Sequence, residues 1–129
     1  MNVAVAGQKI VDTEVVVDPA KVVHLSEALG TDSAPDTALL IPFFAATAAG
    51  QDSVVGPLGL DLSRALQGGQ AFEWHRPFRV GETVHLQVVV ADLYEKRSTQ
   101  VATVLAEFRG ADGDLIQRQR ILFIERGEP

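Results

Sequence analysis

Three histidines, 11 Lys and Arg and 17 Asp and Glu are the groups in this chain that can move a proton or hold charge. There is no cysteine, which excludes disulfides, thiolate metal sites and a cysteine nucleophile. His24 falls on a helical stretch, opposite its apolar positions, and reads as a surface residue. His75 ends a short strand, where hydrogen bonding to a turn or a partner is favoured over catalysis. His85 is out of phase with Val84, Leu86 and Val88, so it faces the other side of its sheet. No two histidines have metal-ligand spacing, so no metal site is expected. Arg76, Arg79, Lys96 and Arg97 gather around turns. Solvation is the plain reading of that cluster; contact with phosphate or a partner subunit is the functional one. Asp92 and Tyr94 read as strand-end surface residues, not catalysts.

The elements that must position these residues follow from periodicity. Gln8 to Val17 is valine-rich and reads as a strand. Asp18 and Pro19 mark a helix start, Val22, Leu25, Ala28 and Leu29 give it one apolar face, and Gly30 ends it. Ala38 to Gly50 is apolar or small on all sides, the pattern of a buried helix. Pro42 suits its first turn, so it runs from near Pro42 to near Gly50. Gln51 to Gly69 reads as irregular, with one helical turn at Leu60 to Ala65. Strands are expected at Gln70–Arg76, Thr83–Tyr94, Thr99–Arg109 and Leu115–Glu125. Val84, Leu86, Val88 and Val90 share one face, and Ala102, Val104, Ala106 and Phe108 another. The connections Glu95–Ser98 and Gly110–Asp114 are short enough to join the last three strands in an antiparallel meander. About five strands and a buried helix place the chain in the α+β class.

A chain of 129 residues, 47% hydrophobic and 22% charged, suits one soluble globular domain spanning residues 1–129. The formal net charge of -6 argues against a nucleic-acid partner, which calls for a basic surface. No signal peptide or membrane-length apolar run is evident, so a cytoplasmic location is expected.

One group of short phrases goes further than periodicity. In chain order these are Leu40-Ile-Pro-Phe-Phe44, Leu58-Gly-Leu-Asp-Leu62, Gln67-Gly-Gly-Gln70, Trp74-His-Arg-Pro77, Gly81-Glu82, Asp92-Leu-Tyr-Glu-Lys96 and Asp112-Gly-Asp-Leu115. Their order and spacing resemble the MaoC-like dehydratase and hydratase superfamily, specifically its N-terminal, usually non-catalytic half. The resemblance implies a hot-dog domain, an antiparallel sheet of about five strands wrapped around a central helix. It also implies an acyl substrate carried as a thioester of coenzyme A or acyl carrier protein, with no cofactor. Fatty acid, steroid or polyketide metabolism is the implied setting.

Catalytic members of that superfamily carry an Asp followed five positions later by a His, before the central helix. Asp32 stands for the Asp here, and Thr37 occupies the position of the His. Hydrating an enoyl thioester needs a base for water, an acid for the α-carbon and donors for the enolate-like oxygen. Amides at the start of the second helix, near Phe43 and Phe44, suit the last task. The acid–base pair is incomplete, with Asp32 and His75 its remaining candidates. Phe43, Phe44, Thr47, Arg76 and Arg79 are the candidate substrate contacts. The loop Thr31 to Asp36 is shorter than usual for that superfamily, which leaves the acyl tunnel uncovered.

The favoured reading is a degenerate subunit of a heteromeric (R)-specific enoyl-CoA hydratase or 3-hydroxyacyl-thioester dehydratase, paired with a catalytic hot-dog bearing Asp-x4-His. A stand-alone homodimer that binds acyl thioesters is the alternative. A hot-dog thioesterase ranks third, because Pro42 to Ala49 holds no carboxylate and only Asp52 and Glu73 are outside candidates.

Overall fold

A computed structural model describes residues 1–18, 20, 27–28, 30 and 52–127. The helix expected from Pro42, with Phe43, Phe44 and Thr47, lies outside these residues. So do the loop bearing Asp32 and Thr37, and His24.

Among the described residues five strands form one antiparallel sheet: β1 (Lys9–Val16), β2 (Ala65–Trp74), β3 (Thr83–Lys96), β4 (Thr99–Arg109) and β5 (Leu115–Arg126). Their order across the sheet is β1-β3-β4-β5-β2. The meander β3-β4-β5 forms its centre, as the short connections require. The first is a two-residue hairpin in which Arg97 and Ser98 both have positive φ, 52° and 64°. That is the handedness that matches strand twist.

Alternation fixes which face is buried. Val84, Leu86, Val88 and Val90 of β3 and Ala102, Val104, Ala106 and Phe108 of β4 are all buried. Leu86 pairs across with Phe108, Val88 with Ala106 and Val90 with Val104, so the two sets form one apolar surface. A register shift between Val90 and Asp92 brings Leu93 back to that surface. Val11 and Val17 at one side and Ile116 and Ile121 at the other extend the same core.

The segment before β2 departs from expectation. A helix, α1 (Asp52–Leu58), stands where irregular chain was expected, and its Val54 and Leu58 are buried in the core. The helical turn expected at Leu60 to Ala65 is instead a turn organised by Asp61. Its carboxylate accepts from the amide and hydroxyl of Ser63 at 3.0 and 2.6 Å and from Arg64 Nε at 3.0 Å. Such local bonding competes with helix formation. β2 then starts at Ala65 and ends at Trp74, rather than spanning Gln70 to Arg76. A register shift between Gln67 and Gly69 lets the strand run through both glycines. A Cβ on Gly68 would meet Ile124 Cδ1 at 2.7 Å, so a larger residue there would have to displace the tip of the Ile124 side chain.

The start of the chain is tied to both layers. The Asn2 amide donates to the Leu58 carbonyl at the end of α1 at 2.7 Å. The Met1 ammonium pairs with Glu125 at 2.9 Å and also reaches Gln100. Asp18 accepts from the Ala20 amide at 2.9 Å, residues 20, 27 and 28 are helical, and Gly30 has φ 70°. These are the ends expected of the first helix.

Leu86 is fully buried in the centre of the sheet. Leu86→Ala should lower the unfolding free energy in urea by about 3 kcal/mol. Val16→Ala, at a position 56% exposed, should change it by no more than about 0.5 kcal/mol.

Candidate functional site

Three groups of polar residues are placed by the sheet, two around its turns and outer face and one on its buried face. The first is the turn between β2 and β3. Gly81, at φ 84°, takes a conformation glycine favours and lets the chain reverse, with the Glu82 amide bonded to the Arg79 carbonyl at 3.1 Å. The turn is stitched to the end of β1: the Gly81 amide donates to the Val17 carbonyl and the Val17 amide to that of Glu82, both at 2.8 Å.

Arg76 is the hub of this turn. Its guanidinium bonds Glu82 Oε2 at 3.1 Å, Asp114 Oδ2 at 3.0 Å and the Pro77 carbonyl at 3.0 Å. The Arg76 hydrogen bond holds the Glu82 carboxyl below the usual carboxylate range, with help from the Arg79 amide at 2.7 Å. The same guanidinium lowers Asp114, and the two carboxylates raise Arg76 in return. Arg76 therefore braces the β2–β3 turn against the β4–β5 turn. The Arg79 side chain is exposed beside this cluster.

The second group lies on the sheet face away from the core. His75 Nε2 is 2.9 Å from Glu73 Oε2, and Arg118 bonds the same carboxylate at 3.1 Å. Arg118 continues to Glu107 at 3.0 Å, which also accepts from Arg109 at 3.1 Å. The His75 hydrogen bond, with the Arg118 charge, lowers the Glu73 carboxyl. His85 pairs with Asp12 across β1 and β3. The Lys9 hydrogen bond and then that of His85 lower Asp12. Both described histidines are thus about half exposed and held by carboxylates on this outer side. Among the described residues no three His, Cys, Asp or Glu side chains converge as metal ligands would.

The third group is one that sequence reasoning missed. Gln117 and Gln119 of β5 are fully buried on the core face. Gln67 donates to Gln70 at 2.8 Å, Gln70 to Gln119 at 3.3 Å, and Gln119 to Gln117 at 2.7 Å. This ladder runs from the exposed β2 edge inward. Across the strands Gln117 lies between Phe108 and Trp74, and Gln119 between Ala106 and Phe72. Phe78, also unremarked in the sequence, is buried and packs edge-on against Phe108 at 5.3 Å and Trp74 at 5.9 Å. The available signal was two neutral amides at i and i+2, in phase with Ile121 and Phe123, where a surface strand would carry charge. Of the expected site residues, His75, Arg76 and Arg79 gather near the end of β2. Asp32, Phe43, Phe44 and Thr47 lie outside the described residues.

Comparison with known proteins adds to this geometry. A family profile described as "FAS1-like, dehydratase domain region" matches residues 3–119. An UPF0336 protein of Thermobifida fusca is 30% identical over 112 residues, covering 86% of this chain and 70% of that one. An UPF0336 protein of Saccharopolyspora erythraea is 33% identical over 70 residues, covering 54% of this chain and 45% of its own length. In structure, the chain is similar to the HadBC (3R)-hydroxyacyl-ACP dehydratase complex of Mycobacterium tuberculosis, with TM-score 0.70, 14% identity and coverage of 93% and 96%. A MaoC-like dehydratase of Phytophthora capsici gives TM-score 0.74 at 16% identity, over 98% of this chain and 50% of that one. The (R)-hydratase of A. caviae involved in PHA biosynthesis gives 0.59 at 26% identity, over 92% and 94%. The five-stranded antiparallel sheet is that of a MaoC-like hot-dog dehydratase domain.

The Arg76–Glu82 pair is mostly shielded from solvent. Glu82→Gln should cost about 2 kcal/mol of stability at pH 7. The Glu82 carboxyl is lowered from its ordinary 4.5, so its contribution is complete above that value and is lost as pH falls through the lower folded one. Urea titrations at pH 7 and at successively lower pH should show the difference between native protein and variant shrinking on acidification.

Proposed function

Because this chain belongs to the FAS1-like dehydratase domain family, we propose that it is a degenerate hot-dog subunit of a heteromeric (R)-specific enoyl-CoA hydratase or 3-hydroxyacyl-thioester dehydratase. One observation carries this reading. Both described histidines are held by carboxylates on the outer side of the sheet, away from the core face that would meet an acyl group. With Thr37 in place of a His five positions after Asp32, the acid–base pair of the catalytic members is incomplete in this sequence.

The missing base would come from a second hot-dog subunit bearing Asp-x4-His. β2 is an outer strand of the sheet among the described residues, the position where such a partner would add a strand. The HadBC neighbour is itself a complex, which supports the pairing. The substrate would be an acyl thioester of coenzyme A or acyl carrier protein, with no cofactor, in the cytoplasm. Phe43, Phe44 and Thr47 would line the acyl site. Arg79 is the better placed of the two arginines for a phosphate, because Arg76 is already engaged with Glu82 and Asp114.

The purified chain should give no measurable hydration of crotonyl-CoA or longer enoyl-CoA, and light scattering should show a mass above the 13.8 kDa of one chain. Addition of a catalytic hot-dog partner should restore turnover. Hydratase turnover by this chain alone that disappears in His75→Ala would overturn the proposal and make His75 the base. A stable homodimer that binds acyl thioesters but activates no partner would favour the stand-alone binding role instead.

A further inference from the structure

The glutamine ladder ends in a buried amide, that of Gln117. Gln117 is fully buried, its Oε1 accepts from Gln119, and its Nε2 has no hydrogen-bond partner among the described residues. A buried amide without a partner is costly, and such exceptions in a folded protein call for a cause. Turning all four amides over does not remove the problem. It would leave Gln117 Oε1 unmet in place of Nε2, because the ladder has only one solvent-exposed end.

The surroundings argue against a purely structural role. Apolar residues at 117 and 119 would continue the surface made by Phe108, Ala106 and Ile121 with no polar group to satisfy. Instead the chain places two neutral amides there, one relaying to the other, beside the small Ala106 and between aromatic rings. A charge at this depth would attract counter-ions or shift its protonation, whereas an amide presents a fixed, neutral hydrogen-bonding group. Such a group suits an uncharged oxygen on an otherwise apolar ligand.

We propose that Gln117 is a specificity-determining residue that hydrogen-bonds an oxygen on the acyl chain of a bound thioester, so that the site prefers oxygenated acyl groups to plain hydrocarbon ones. This rests on the acyl-thioester reading above and adds the class of acyl group. Gln119 is a positioning residue: it occupies Gln117 Oε1 and so aims the Nε2 end. Gln70 and Gln67 complete the relay at the β2 edge.

The test uses the full chain and a set of dodecanoyl-CoA derivatives, each with one hydroxyl at a successive carbon beyond C3, against unsubstituted dodecanoyl-CoA. A hydroxyl both donates and accepts, so it serves either orientation of the ladder. Binding is read from the fluorescence of Trp74, the only tryptophan, which lies across from Gln117 in the strand register. At least one hydroxylated thioester should bind about tenfold more tightly than the parent. Gln117→Met should abolish that preference, so that the hydroxylated thioesters bind no more tightly than the parent. The free variant should also melt higher, by about 3 °C, because it removes an unmet polar group without changing volume.

Parent binding with no hydroxyl preference, or a preference that survives in Gln117→Met, would overturn the proposal and leave the acyl-thioester reading intact. A lower melting temperature for the variant would also overturn it, by showing that the amide is satisfied within the fold. If neither the parent nor any hydroxylated thioester binds, the acyl-thioester reading fails and this inference fails with it.

Discussion

The antiparallel ladder of β3, β4 and β5 is the constraint on which the rest of the molecule depends. Once Leu86 lies across from Phe108 and Phe108 across from Gln117, every second residue on three strands is committed to the core. A one-residue slip would turn Val84, Leu86, Val88 and Val90 out to water. The core therefore fixes the register, and the register fixes everything polar. It puts Arg118 opposite Glu73 on one neighbouring strand and Glu107 on the other. It sends Gln117 and Gln119 inward between aromatic and small residues.

That ladder was also what the sequence made most legible. The period-two pattern of β3 and β4 gave their buried faces, and the short connections gave the meander. The resemblance to MaoC-like domains turned an α+β reading into a hot-dog. Periodicity did not place β2 beside β5, because that pairing joins segments far apart in the chain. Nor did it reveal α1, where Gly56 and Pro57 are both poor helix formers. Pro57 falls in the last turn of a seven-residue helix, and burial of Val54 and Leu58 outweighs its low propensity. The early start of β2 was hidden by Gly68 and Gly69, which read as a turn but form an irregularity within a strand.

The polar residues show a second limit of sequence reading. Arg76 and His75 stood out because their types can do chemistry, yet the fold gives Arg76 a bracing task between two turns. Charge on a turn identifies a residue able to bind phosphate, but neighbours 6 and 38 positions away decide whether it is available. Gln117 and Gln119 attracted no notice, since glutamine is neither acid, base nor nucleophile. Their significance comes only from burial, which depends on the register of three strands.

The two outer strands of the sheet are not equivalent. β1 carries Lys9, Asp12 and Glu14, with Lys9 and Asp12 paired at 3.2 Å. β2 carries one charged residue, Glu73, and that is already bonded to His75 and Arg118. Charged side chains on an outer strand discourage further strand addition, and their absence permits it. A second sheet joined through β2 would leave only the charged β1 rims facing outward, and an assembly of that kind would terminate itself instead of polymerising into a fibre.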